Sequence, residues 1–254
     1  MALFPNPEGT VTVPSSEQHV CRPILDAAQA REHVRRAVLD GVFKPTDIEK
    51  SSRIGELTLL WAPFWRVDVS VDGFHFGFAG TATVGRSGMR VPIPTGGARH
   101  KDAVVMVSAR KVFPYEAKLP AWLSGTFDGV APLEVNSGEL APRSDSDLRG
   151  GEIVLPDTAK GDAEAIAAKM VVRAVHPGNA LYAKYEPQIR SSLFCWYPVY
   201  HAVYDYDGAA RRHQGERFFV TVSARTGKPV SAHHPSAVRA AAAKLRKLIS
   251  FGMG

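Results

Sequence analysis

The sequence predicts an α+β fold: an internal duplication of a helix plus an antiparallel β-hairpin unit, closed by a C-terminal helix. Three observations carry this reading. A segment recurs at a shift of 135 residues, each copy contains an alternating apolar run, and each is preceded by a helical pattern. At that shift Ile54 falls on Ile189, Trp61 on Trp196, Pro63 on Pro198, Asp72 on Asp207 and Gly73 on Gly208. That is five identities in the twenty positions 54–73, where average composition gives roughly one. Trp65 also falls on Tyr200.

The helical patterns span residues 27–39 and 162–175, and Arg36-Ala37-Val38 recurs as Arg173-Ala174-Val175. In the first copy Trp65, Val67, Val69 and Val71 alternate with Arg66, Asp68 and Ser70. In the second, Tyr200, Ala202, Tyr204 and Tyr206 alternate with His201, Val203 and Asp205. A period of two in branched and aromatic residues is the mark of a half-buried strand. Asp72-Gly73 then reads as a two-residue type I′ turn, with the chain returning through Phe74, Phe76 and Phe78. The second hairpin opens at Asp207-Gly208, returns over residues 217–223 and turns again at 225–228 before residues 229–232. Pro63 and Pro198 are read as sitting near strand entrances, where a missing N–H is tolerated.

These units suggest five segments: an N-terminal extension (1–24), repeat unit 1 (25–95), a connecting segment (96–160), repeat unit 2 (161–235) and a basic C-terminal helix (236–254). Within the connecting segment, 103–109 reads as a buried strand, 120–123 as a short helical turn and 136–151 as an exposed loop. The C-terminal helix, 236–249, has an apolar stripe of Val238, Ala241, Ala242, Leu245, Leu248 and Ile249.

Composition bounds the function. With 254 residues and 45% hydrophobic content the chain has material for a sizeable core. Two distant cysteines, Cys21 and Cys195, build neither a disulfide framework nor a four-cysteine zinc site, and fit cytosolic usage. The opening MALFPNPEGTVTVP has no basic stretch followed by an apolar run, so a secretory signal is not expected. The net charge of +6 is concentrated at one end: residues 217–254 hold seven Lys/Arg and no Asp or Glu. Such an end suits an anionic surface, whether lipid headgroups, nucleic acid or an acidic partner, or else serves solubility. The residues singled out for anionic or partner binding are Arg211, Arg212, Arg217, Arg239, Lys244, Arg246 and Lys247.

Signatures of chemistry are sparse. Gly227-Lys228 has Val222 where a phosphate loop needs its first glycine. No G-x-G-x-x-G, G-x-S-x-G, H-E-x-x-H or C-x-x-C is present. Cys195, His201 and His213 with Asp205 are metal-ligating types, but no single element gathers them, and the adjacent His233-His234 point to opposite faces of a strand. Asp145 and Asp147 form a D-x-D short of the oxygens a cation site needs. No metal or cofactor is therefore expected. Cys195 between Phe194 and Trp196 reads as a buried cysteine, or as a nucleophile if His201 activates it. The dense aromatics Trp61, Phe64, Trp65, Trp196, Tyr197, Tyr200, Tyr204 and Tyr206 read as core, with base stacking or a ligand groove as the alternative.

The runs Leu60-Trp61-Ala62-Pro63-Phe64-Trp65, Phe43-Lys44-Pro45, Lys101-Asp102-Ala103-Val104, Trp196-Tyr197-Pro198-Val199-Tyr200 and residues 222–230 resemble landmarks of a bacterial family of TFIIB-type zinc-ribbon-containing proteins. The likeness covers roughly residues 25–235. The family's four-cysteine ribbon, and the C-terminal membrane helices that some of its members carry, have no counterpart here, so no zinc role carries over. The resemblance implies a non-catalytic adaptor or scaffold in the cytoplasm, peripheral at the inner membrane face. Its implied partner is an ESCRT-III-like or SPFH membrane-associated protein. Two other readings stand beside it: a nucleic-acid-binding module, and an enzyme of unrecognised type using Cys195 and His201.

Overall fold

A computed structural model of the chain describes residues 9–39, 45, 47–84, 89–111, 121–123, 135, 137–144, 146–207 and 218–235. Strands make up 55% of it and helix 21%, in one large mixed sheet. The protein is thus predominantly β, and the expected duplication of helix-plus-hairpin units is not what the chain forms. The elements are β1 (Gln18–Cys21), α1 (Ala27–Leu39), α2 (Ile48–Ser51), β2 (Ser52–Val84), β3 (Met89–Ser108), β4 (Ala121–Leu123), β5 (Leu140–Pro142), β6 (Glu152–Ile153), α3 (Lys160–Val175), β7 (Ala180–Tyr206), β8 (Phe218–Ser223) and β9 (Pro229–His233). Two single-turn 3₁₀ helices lie at Ser15–Glu17 and Ser137–Glu139. The sheet order is β4-β3-β2-β7-β1-β5, with β6 beside β2, and β8 and β9 continuing from β7.

The unit reading fails at Asp72-Gly73. Strand β2 runs straight through this pair for 33 residues, and Asp72 and Gly73 stay in register with His100 and Arg99 of β3 and with Glu186 and Tyr185 of β7. Glycine is required at 73 for a different reason. A Cβ there would collide with the ring of Tyr185 and lie 2.5 Å from the Lys184 carbonyl oxygen. The β2–β3 reversal falls between Val84 and Met89 instead. Three of the five identities at a shift of 135, at Ile54, Trp61 and Pro63, lie on two strands that pair with each other, where Trp61 faces Pro198 and Pro63 faces Trp196; Asp207 follows the end of β7, and Gly208 lies outside the described residues.

Both prolines sit mid-strand, not at entrances. Along one edge of β2 the neighbour changes from β6, at Leu60 and Trp61, to β3, starting at Phe64. The Pro63 carbonyl accepts Ala109 N–H on that edge (2.9 Å). A residue's N–H and C=O point to the same edge in a strand, so the missing N–H faces the hand-over gap. Pro198 repeats the arrangement on β7, where β1 ends at Trp196 and β8 begins at Val199, and its carbonyl accepts Ala224 N–H (3.0 Å).

Helix α1 starts where predicted because Asp26 and Gln29 cap each other: Gln29 N–H donates to Asp26 Oδ1 (2.8 Å) and Asp26 N–H to Gln29 Oε1 (3.1 Å). It buries Ala30, Val34, Ala37 and Val38. Helix α3 buries Ala163, Ala167 and Val171, whose spacing of four and small size let it lie close on the sheet. Both helices cover one sheet face. Phe194 and Trp196 of β7 pack with α3; Tyr200, Ala202 and Tyr204, on the same side of that strand, pack with α1. The other face holds Leu60, Ala62, Phe64, Cys195, Tyr197 and Val199 under Cys21, Val135, Leu140, Val154 and Val230. Residues 121–123, read as a helical turn, are the strand β4 on the outer edge of β3, and 136–151 includes β5. The expected C-terminal helix lies outside the described residues. Among the described residues no helix is long and apolar enough to cross a membrane.

Candidate functional site

Beyond the helices, β2, β3 and β7 continue as a three-stranded arm: residues 72–84 of β2 pair with 89–100 of β3 and, as far as Gly77, with 180–186 of β7. Twelve residue steps at about 3.3 Å give it a reach of roughly 40 Å. The outer edge of β7 carries no strand over 180–192, and neither does that of β3 over 89–104, among the described residues.

The two faces of the arm differ at its root. One is held down by α3. Val69 and Val71 pack with Ala163, Ala167 and Val171, the Tyr185 ring takes the space left by Gly73, and Tyr185 donates to the Val175 carbonyl (3.4 Å). His176 stands edge-on to that ring at 5.9 Å. Asn179 donates to the Phe78 carbonyl (2.6 Å), and its own carbonyl lies where a Cβ of Gly77 would be.

The opposite face is open. At its root a polar network ties the three strands together. Arg66 pairs with Asp68 (2.9 Å), Ser191 donates to Asp68 (2.5 Å), and Arg190 reaches both Ser70 and Asp102 (3.0 Å each). A β-bulge in β7 at Arg190 puts Arg190 and Ser191 on this same face. His100 bridges Asp72 (2.7 Å) and Asp102 (3.4 Å). The hydrogen bond with Asp72, then that with Asp102, holds the imidazole above its ordinary pKa. Asp102 is held below the usual carboxylate range by Ser70 and then by Arg190 and His100.

Outward of this network the face becomes apolar. Phe74, Phe76 and Phe78 follow each other at alternate positions, with exposures of 49%, 42% and 39%. Tyr182 lies opposite Phe76, and Phe76 meets Phe78 edge-on at 5.9 Å. Val84, Val91 and Ile93 are exposed toward the far end, and Leu181 midway along the arm beside Phe76 and Gly77. Nine of the eleven exposed large hydrophobic residues described are on the arm or at Ile189 beside it; the others are Ile24 and Ile153. A solvated sheet face alternates apolar with polar residues and hides the apolar side. Here the apolar side is the exposed one, which is the pattern of a binding surface.

The sites expected from sequence fall elsewhere. Arg211, Arg212, Arg217, Arg239, Lys244, Arg246 and Lys247 lie outside the described residues, as do His213 and Asp145. Cys195 and His201 share a strand face but are six residues apart, about 20 Å, too far for one to activate the other. Cys195 is fully buried, and burial pushes its thiol pKa up; burial also pushes Cys21 up to about 11. Burial pushes His201 down to about 4, and its Nδ1 is 2.9 Å from Thr221 Oγ1. Asp147 accepts from the backbone N–H and hydroxyl of Ser144 (2.7 Å each). All eight aromatics read as core are buried. Trp65 donates to the Thr158 carbonyl (3.0 Å) and Trp196 to Gln18 Oε1 (2.8 Å), which satisfies their indole N–H groups.

The sequence did carry a signal for the arm. Residues 73–101 hold Arg86, Arg90, Arg99 and Lys101 and no Asp or Glu, around the alternation Phe74-His75-Phe76-Gly77-Phe78. Comparison with family models, with curated proteins and with solved structures finds no match.

Proposed function

We propose that this protein is a non-catalytic adaptor that presents its three-stranded arm to another macromolecular surface, in the cytoplasm and peripheral to the inner membrane face. The observation that carries the reading is the concentration of exposed apolar residues on one projecting element. A monomer with no partner gains nothing from exposing three phenylalanines in a row, because each ring, 39–49% exposed, forgoes about half the burial free energy of a full side chain, on the order of 1 kcal/mol. The open strand edges add a second mode of attachment, since unpaired backbone groups accept a further strand. The two free, buried cysteines fit a reducing compartment. The resemblance to the zinc-ribbon-containing family points the same way, and on that reading an ESCRT-III-like or SPFH protein is the assembly the adaptor serves.

Photo-crosslinking in the native host tests this. A benzophenone side chain replacing Phe76 is expected to capture a defined protein or lipid that the same group at exposed Glu56 does not. Identical capture from both positions, or none from position 76, removes the arm as the working surface.

A further inference from the structure

We infer that the far end of the arm docks into the headgroup layer of an anionic lipid membrane, an assignment that rests on the adaptor reading and names what the arm meets. Three features of the arm select this occupant.

The first is charge. Residues 73–101 and 177–185 together contain five Lys/Arg and no carboxylate. Carboxylates begin at the root, where Asp72, Asp102 and Glu186 are each paired within the protein, to His100, Arg190 and Lys184. Arg99 stands one position beyond that root, and Arg90, near the far end and in no ion pair among the described residues, is left to meet an anionic surface, where it adds attraction that fades with salt.

The second is that the far end is apolar on both sides. Phe76 and Phe78 occupy the face shared with Pro94 and Gly96, while Val91 and Ile93, at the odd positions of β3, occupy the other. A protein partner docking on the aromatic face leaves Val91 and Ile93 in water. A lipid interface surrounds the tip and covers both. Aliphatic side chains also separate lipid from nucleic acid, since bases stack on rings and gain little from valine or isoleucine.

The third feature sets the depth. The outer edges of β3 and β7 expose backbone groups that the hydrocarbon interior would leave unsatisfied. The arm therefore lies obliquely along the interface, where water and headgroups still bond those edges; upright, the roughly 26 Å from Phe76 to Val84 would carry the tip through most of the hydrocarbon. Tyr182, beside Phe76, combines an apolar ring with a hydroxyl suited to that depth.

Flotation of the full chain tests the assignment, using phosphatidylcholine vesicles with and without phosphatidylglycerol. Binding is expected only with phosphatidylglycerol, weakening from low salt to about 0.15 M. The triple variant Phe74→Ser/Phe76→Ser/Phe78→Ser, which changes side chains 39–49% exposed, is expected to lose at least about tenfold in partitioning while staying folded by far-UV circular dichroism at the assay temperature. Arg90→Gln is expected to lose about fivefold. Arg239→Gln/Lys244→Gln/Arg246→Gln/Lys247→Gln is expected to float like the parent, which separates the arm from the basic end. The assignment is overturned if the parent stays unbound, if the triple variant floats equally, or if only the basic-end variant loses binding. Retention of a single-stranded oligonucleotide, or self-association, that depends on the three phenylalanines in place of lipid binding also overturns it. If Phe76 still crosslinks to a protein while nothing floats, the lipid assignment falls and the adaptor reading stands. If the triple variant alters neither crosslinking nor flotation, both fall.

Discussion

Phe64→Ala and Phe76→Ala make a matched pair that tests where the core ends and the arm begins. The two residues lie on the same strand and face, twelve positions apart. Phe64 is fully buried with Tyr197 edge-on at 6.1 Å, over Met106 and Cys195. Removing its ring leaves a cavity that the surrounding strands cannot fill, at about 3–5 kcal/mol. Phe76 is 42% exposed, and its ring contact is Phe78 at 5.9 Å, so its truncation stays within about 1 kcal/mol. At about 2–4 °C per kcal/mol for a chain of this size, Phe64→Ala lowers Tm by roughly 10 °C and Phe76→Ala by no more than about 4 °C. Guanidinium melts followed by far-UV circular dichroism, with the slope checked for two-state behaviour, give the free energies. Equal losses, or a larger loss at Phe76, would refute the argument that the strand leaves the core after its root.

Gly73→Ala, which drives a methyl into the Tyr185 ring, costs about 1–3 kcal/mol in the same melts, whereas an ordinary turn glycine would cost less. His201 is neutral and buried in the fold, so its contribution is fully present above pH 6.5 and lost as pH falls toward about 4. That loss is on the order of 3 kcal/mol, and His201→Gln, which keeps a partner for Thr221, flattens the slope of stability against pH over this range. His100 behaves oppositely: its raised pKa makes its pairing with Asp72 and Asp102 present below pH 6.5 and lost as pH rises through the raised value. An NMR titration places its midpoint above that of a free imidazole, and Asp72→Asn moves it down. Cys21 and Cys195 resist iodoacetamide in the native protein and both react in denaturant; fast native alkylation of Cys195 would revive the nucleophile reading.

The parts legible in the sequence were those set by local chemistry. Helix α1 has its Asp26–Gln29 cap and apolar stripe within thirteen residues, and it forms over Ala27–Leu39 as read. The β7–β8 hairpin and the turn at Gly227, with φ +71°, also come from short-range signals. What escaped was set by distant partners. Asp-Gly after an alternating strand is a strong hairpin signal, and only the arrival of Tyr185, 112 residues later, makes Gly73 a seat for a ring. Alternation in Phe74-His75-Phe76 shows two faces but not which one a helix covers. Here α3 covers the His75 side, leaving His75 5% exposed and the phenylalanines in water. The mid-strand prolines escaped likewise, because the gaps they face exist only where β6 gives way to β3 and β1 to β8.

The most direct measurement of the arm's role is a nitroxide at position 76. Because Cys21 and Cys195 are buried, a Phe76→Cys variant takes the label selectively. Without vesicles the label is expected to be mobile and open to a water-soluble nickel chelate, as an exposed strand position is. On adding vesicles containing phosphatidylglycerol, the account predicts restricted motion, less access to the chelate and more access to oxygen, with no such change for a label at Glu56. Access to the chelate that stays unchanged at position 76 under those conditions would contradict it.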